Sequence, residues 1–221
     1  MRVEWALLDG VPNEERERFL GIARPRSYRR GEVIFLAGAP ADTLQLIVSG
    51  WVTIRAGTEA GNMALLSVRG PGDFFGDIAL FNPEWSRTAN VTALDVCETL
   101  SVHRDDFTRL RAVHQSVDQV LVKVLSTQVR RLSTLLVEAM YLPAEARLYR
   151  RILDAAEVWG GSVKGTVIPL TQEDIAELAG TTRSTANRAL RHAEESGLLR
   201  IRRGRIELLD PTGIAHLARI V

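Results

Sequence analysis

The sequence predicts an α+β chain in three parts: an N-terminal antiparallel β-barrel, a long central helix, and a C-terminal helical unit with a two-stranded wing. Three observations predict it. From about Tyr28 to Val102 short apolar runs alternate with turn residues; from His114 to Met140, 27 residues pass without Pro or Gly; and beyond Leu142-Pro143 the period becomes helical again. At 221 residues the chain exceeds one typical domain of about 100–150 residues. Its 46% hydrophobic and 25% charged residues are the balance of a globular protein with a core to bury.

Asn13, followed by Glu14, Glu15 and Glu17, supplies the cap and acidic first turn of a helix over Pro12–Phe19. The predicted strands are Val33–Leu36, Leu44–Val48, Trp51–Ile54, Met63–Val68, Ala89–Ala93 and Glu98–Val102. Gly31, Gly38-Ala39-Pro40, Ser49-Gly50, Gly57, Gly61-Asn62 and Gly70-Pro71-Gly72-Asp73 punctuate them, and many short strands so spaced make a barrel or sandwich. Asp105-Asp106 opens a short helix, and the stretch His114–Met140 suffices for a helix of roughly 40 Å. Along it Leu121, Leu125, Gln128, Leu132, Leu135 and Ala139 recur at alternating steps of four and three. That is the seam of a two-stranded coiled coil, although such a stripe also suits packing on the chain's own barrel. The last part reads helix Glu145–Val158, a turn at Gly160-Gly161, strand Thr166–Ile168, helices Gln172–Ala179 and Arg183–Glu195, strands Leu199–Arg202 and Arg205–Leu209, and a helix from about Thr212. The expected domains are a sensing barrel at 1–113, the central helix at 114–142 and the winged unit at 143–221.

Lys and Arg total 28 against 27 Asp and Glu, a net charge of +1, which excludes a uniformly basic coat or an acidic tail. One cysteine, Cys97, excludes an internal disulfide and an iron–sulfur cluster. The four histidines, His103, His114, His192 and His216, are scattered, so neither a metal nor a tightly bound cofactor is expected. No nucleophile motif or phosphate-binding Walker loop points to an enzyme. With no apolar run near 18 residues and no signal-peptide pattern at Met1–Trp5, the expectation is a cytoplasmic chain without a membrane partner.

Two constellations carry chemistry. Thr171-Gln172-Glu173-Asp174 has the form of a capping box, Gly180 and Thr181 make a tight turn, and Thr182 can cap a second helix: this is helix-turn-helix spacing. On the second helix Ala186, Ala189, Leu190 and Ala193 form an inner face. Arg183, Asn187 and Arg191, with Ser184 and Arg188 beside them, form an outer face of hydrogen-bonding groups. Arg grips guanine and Asn grips adenine in the major groove, so this face suits duplex DNA. Between Arg183 and Arg205 seven arginines stand against Glu194 and Glu195, and Arg202-Arg203-Gly204-Arg205 reads as a wing turn that would hold phosphates. The alternative is a solvated basic face on an ordinary helical domain.

The second constellation is Gly70 to Leu80, followed by Ser86-Arg87-Thr88-Ala89. A turn at Gly76 can aim free N–H groups at an anion, which Arg87 and Thr88 could share. Arg87 could equally pair with Asp77. Trp85, two residues before Arg87, could line or block such a pocket.

Both constellations, and the order barrel, long helix, winged helix-turn-helix, resemble the cyclic AMP receptor protein and fumarate-nitrate regulator superfamily of bacterial transcription factors. Gly31-Glu32-Val33-Ile34-Phe35 and Leu125-Ser126-Thr127-Gln128 add to the likeness. The resemblance implies a cyclic-nucleotide-binding barrel of the double-stranded β-helix type, with an effector, cyclic AMP or a related nucleotide, held by Gly76, Asp77, Ile78, Arg87 and Thr88. Asp77 stands where a glutamate is expected. Ser133 and Thr134 of the long helix lie near the position expected to face the base. The resemblance also implies a homodimer joined through Leu121, Leu125, Gln128, Leu132 and Leu135, binding a pseudo-palindromic operator and RNA polymerase. DNA contacts would fall to Thr171, Gln172, Thr182, Arg183, Ser184, Thr185, Asn187, Arg188, Arg191, Arg202 and Arg203, with Ser184 replacing a glutamate. A regulator without nucleotide control is the alternative.

Overall fold

The computed structural model describes residues 3–58, 61–78 and 86–219, so Ala79, Leu80 and Trp85 lie outside the described residues. The chain forms two compact units, 1–129 and 130–221. In the first, eight strands among the described residues make two antiparallel sheets. They are β1 (Arg24–Tyr28), β2 (Val33–Phe35), β3 (Thr43–Ser49), β4 (Val52–Gly57), β5 (Met63–Arg69), β6 (Phe74–Phe75), β7 (Asn90–Ala93) and β8 (Cys97–His103). One sheet has the order β1-β8-β3-β6 and the other β2-β7-β4-β5. No ladder joins them among the described residues, so the predicted barrel is a jelly-roll-like pair of sheets rather than a closed cylinder.

Strand β3 explains the layering. Leu44 and Leu46 point to one face and Gln45 and Ile47 to the other, and all four are buried. On the Ile47 side, Phe75 and Cys97 meet Val52, Val91 and Ala93 of the second sheet. On the Leu44 side lie three helices, α1 (Asn13–Ile22), α2 (Arg104–Val113) and the start of α3 (Gln115–Tyr141). Their Phe19, Phe107, Leu110, Val117 and Leu121 join Trp5, Leu7 and Leu8 in one cluster with β3. Trp5 Nε1 donates to Ile47 O at 3.0 Å. The buried Gln45 amide is satisfied on both ends, donating to Ser101 Oγ at 2.9 Å and accepting from Thr99 Oγ1 at 2.8 Å.

Strands β1 and β6 were not predicted. The sequence Arg-Pro-Arg-Ser-Tyr has no apolar alternation because β1 is an edge strand with Tyr28 alone half-buried. β6 is two residues long, below the length at which alternation can be read.

Helix α3 buries one residue of the expected seam within its own unit. Leu121 is 2% exposed because the β-unit packs on this part of the helix, so Leu121 belongs to the core of its own unit. Leu125, Gln128 and Leu135 are half-buried. One line of apolar side chains turned to solvent runs through Val122, Val129, Leu132, Leu136 and Met140, each more than half exposed, and Val137 and Tyr141 are exposed beside it.

The second unit holds α4 (Ala144–Val158), β9 (Val167–Ile168), α5 (Gln172–Ala179), α6 (Arg183–Glu195), β10 (Leu199–Arg202), β11 (Arg205–Leu208) and α7 (Pro211–Leu217). Helix α4 packs against α5, α6 and α7, with Leu148, Ile152, Ile175, Leu190 and Ile214 all fully buried. Glu138, buried near the end of α3, accepts from Arg150 at 3.0 Å and from Arg151 at 2.8 Å, welding that end to α4. Among the described residues no helix is long and apolar enough to cross a membrane.

Candidate effector cavity and nucleic-acid interface

In the first unit the turn Gly70–Asp73 closes on itself, Gly70 N donating to Asp73 Oδ2 at 3.0 Å, and delivers β6 against β3. Gly76 follows with φ +90, a conformation side chains resist. A Cβ there would lie 2.7 Å from Arg87 Nη1 and 3.0 Å from Thr43 O, so the glycine is required twice over.

Arg87 is clipped by its backbone, N to Ala39 O and O from Gly38 N, both at 2.8 Å. Its guanidinium is 4% exposed and sits 3.6 Å from the centre of the Phe35 ring. It donates to Thr43 O at 2.8 Å, Thr43 Oγ1 at 3.1 Å and Gly76 O at 3.3 Å, with Asp42 at 3.9 Å. Nε is buried without a partner among the described residues. Burial lowers the Arg87 pKa, against the opposing pull of Asp42, so a negative ligand would relieve an unfavourable site.

These groups border a cavity of about 90 Å³, lined by Gly76, Asp77, Ile78, Arg87 and Thr88 together with Phe35, Ile54, Arg69 and Gln128. That equals about three waters at ~30 Å³ each, space for a phosphate with the rest of a ligand toward the opening. Burial raises the Asp77 pKa, while its own amide, the Arg69 cation and the Ile78 amide oppose the rise. All five predicted effector residues outside α3 are thus brought together. Ser133 and Thr134 are not among the lining residues: both are exposed, and Thr134 Oγ1 donates to Arg130 O at 3.2 Å within its own helix. Gln128, assigned to the seam, also lines the cavity. Its polarity amid an apolar stripe was the available signal. Thr43 and Phe35, which hold the guanidinium, were not anticipated.

In the second unit Thr171 and Asp174 form the predicted capping box, Thr171 N to Asp174 Oδ2 at 2.7 Å and Asp174 N to Thr171 Oγ1 at 3.1 Å. Gly180 ends α5 at φ 57, and Thr182 Oγ1 caps α6 by accepting from Thr185 N at 3.2 Å. Ala186, Ala189, Leu190 and Ala193 are buried. Arg183, Ser184, Arg188 and Arg191 are exposed, Thr185 and Asn187 half-buried, and Asn187 Oδ1 is buried without a partner. A shallow cleft runs along Ser184, Asn187, Arg188, Arg191, His192 and Glu195. Gln172 is half-buried and Thr171 exposed at the start of α5. In the wing, Arg202 opposes Arg205 across the turn, and Arg202, Arg203 and Arg205 are exposed. Glu194 Oε1 accepts from Ile201 N at 2.7 Å and anchors the wing to α6. Arg147, not singled out from sequence, donates to Leu142 O at 2.9 Å and to Ala179 O and Gly180 O, each at 3.1 Å. No group of three metal-ligating side chains is present among the described residues.

A jelly-roll-like unit with an arginine-floored cavity, on one chain with a winged helix-turn-helix, defines a regulator that joins a sensor domain to a DNA-binding domain. The cyclic nucleotide-binding domain family matches residues 25–114, and the Crp-like helix-turn-helix domain family matches 146–217. The CRP-like cAMP-activated global transcriptional regulator of Mycobacterium tuberculosis is 30% identical over 89% of this chain and 88% of its own length. The cyclic AMP receptor protein of Thermus thermophilus is 27% identical over 96% of each chain. The c-di-GMP responsive regulator CLP of Xanthomonas campestris shares the fold, with a TM-score of 0.77 over 90% of this chain and 99% of that one at 24% identity. The chain belongs to the Crp/Fnr family of transcription regulators.

Proposed function

We propose that the chain works as a homodimer that binds a pseudo-palindromic operator and is controlled by a cyclic nucleotide in the 1–113 sensor unit. In this reading 114–142 is the dimerisation helix and 143–221 the DNA-binding unit. The observation that carries effector control is Arg87, buried at the floor of a cavity, with its Nε unpartnered and Asp42 the nearest carboxylate at 3.9 Å among the described residues. A phosphate reaching it gains charge-assisted hydrogen bonds inside a low-dielectric wall. The names of relatives activated by cAMP support cyclic AMP as the first ligand to try.

Operator reading falls to Arg183, Ser184, Asn187, Arg188 and Arg191 in the major groove. Thr171, Gln172, Thr182, Thr185, Arg202 and Arg203 are placed for phosphates. The dimer seam is the exposed line Val122, Val129, Leu132, Leu136 and Met140. RNA polymerase is the partner that family membership suggests.

A second reading, DNA binding without nucleotide control, is favoured by Arg87 being already held by Thr43, Gly76 and Phe35, and by Asp77 having one methylene fewer than the expected glutamate. Titration calorimetry with cyclic AMP, run beside operator binding with and without it, separates the two. Heat of binding with tightened operator affinity supports the first. Absence of heat at millimolar nucleotide, with operator binding intact, sinks it.

A further inference from the structure

We infer that Glu145 is a positioning residue for base reading: it restrains the Arg188 guanidinium side-on so that its end-on fork is free for a guanine. The inference rests on α6 being the helix that reads DNA. Glu145 lies in the first turn of α4, and its Oε1 accepts from Arg188 Nε at 3.3 Å and from Nη2 at 3.2 Å. Those two donors share one edge of the planar guanidinium, so a single carboxylate oxygen occupies that edge. Nη1 and the outer hydrogen of Nη2 form the other fork, the one that matches guanine O6 and N7.

Both side chains are exposed, 74% and 48%, and an ion pair in that much water adds little to folding. Its effect falls on binding instead. A free arginine must give up rotamer freedom when it docks on a base, and a partner that already restrains it lowers that cost. The restraint has a firm base. One turn along the same face of α4, Tyr149 donates its hydroxyl to Ala189 O at 2.8 Å, pinning α6 at the residue next to Arg188. The carboxylate also places a negative charge beside a surface meant for phosphates, so it opposes sequence-independent binding while it favours the base contact.

The two effects have opposite signs, which makes the test selective. The full-length chain, with and without cyclic AMP, is titrated against the duplex it selects from a random pool. The same is done with single-base variants of that duplex and with a scrambled one. Glu145→Ala is expected to lower discrimination at the base read by Arg188 about 2–5-fold while binding to scrambled duplex is unchanged or tighter. Glu145→Gln keeps an acceptor oxygen and should recover much of the discrimination. The double variant with Arg188→Ala should discriminate no worse than Arg188→Ala alone. If Arg188→Ala loses discrimination and Glu145→Ala keeps it, the positioning role falls and α6 remains the reading helix. Equal losses on selected and scrambled duplexes in both Glu145 variants also overturn it, since that marks a structural role. If Arg188→Ala discriminates at every position as before, the reading of α6 itself fails and this inference with it.

Discussion

Gly76 and Cys97 make claims that single substitutions can test. Gly76→Ala must hold a side chain at φ +90 with its Cβ 2.7 Å from Arg87 Nη1, so it should destabilise the first unit by roughly 1–3 kcal/mol in thermal unfolding. It should also weaken any anion bound at Arg87. Cys97 is buried, and burial, followed by the charges of Asp95 and Glu98, pushes its pKa from 9.0 up to about 11. The folded state therefore keeps a proton that the unfolded chain releases from 9.0 upward. The stability due to the buried thiol is whole below that value and is lost as pH climbs toward about 11. At about 1.4 kcal/mol per pH unit this is roughly 2–3 kcal/mol. Cys97→Ala should accordingly lose less stability than the parent between about pH 8 and about pH 11 in chemical denaturation. Tyr149, pushed up to about 12, adds a later loss in the same direction. At this scale Gly76 and Arg87 were legible in the sequence because a turn glycine and a cation after a short gap form a local pattern. Thr43 and Phe35 were not, because the strands that carry them meet Arg87 only once two sheets are layered.

Helices show where local pattern is enough and where it is not. The helix-turn-helix was readable almost to the residue, since caps and the left-handed glycine act within a few positions. Thr182→Ala removes the α6 cap and should cost about 1 kcal/mol in the second unit's unfolding. For α3, length was readable, and what covers its apolar stripe was not. A stripe at heptad spacing does not say which neighbour covers it, and the β-unit claims Leu121. The proposed line leads to a paired test. If the chain dimerises through this line, Leu136→Arg, at a position 62% exposed, should yield monomers in light scattering without lowering monomer stability. Leu121→Ala should cost about 2–5 kcal/mol of folding with the association constant little changed. The opposite pairing of outcomes would return the seam to Leu121.

Over the whole molecule, a net charge of +1 conceals a strongly basic stretch, because the acidic residues lie mostly elsewhere in the chain. Seven arginines between Arg183 and Arg205 are the electrostatic footprint that salt dependence can measure. Arg203→Ala should weaken binding to all duplexes alike and reduce the slope of log affinity against log salt by about 0.9. If cyclic AMP controls the chain, linkage adds a second requirement: whatever factor the nucleotide adds to operator affinity, the operator must add to nucleotide affinity. Calorimetry with and without a saturating duplex checks it, and a nucleotide affinity that the duplex leaves unchanged would rule out nucleotide control of operator binding.

The layering of the first unit also sets a timetable for its synthesis. Trp5, Leu7 and Leu8 share a cluster with Phe107, Val117 and Leu121, and β1 pairs with β8 from Arg24 to Ser101. At elongation rates of about 5–20 residues per second, these first apolar side chains wait roughly 5–20 s outside the ribosome before their partners emerge. The second unit, whose longest helix contact runs from α4 to α7, carries a shorter delay. Refolding should therefore show a fast phase for the unit translated last and a slow, chaperone-sensitive phase for the unit translated first.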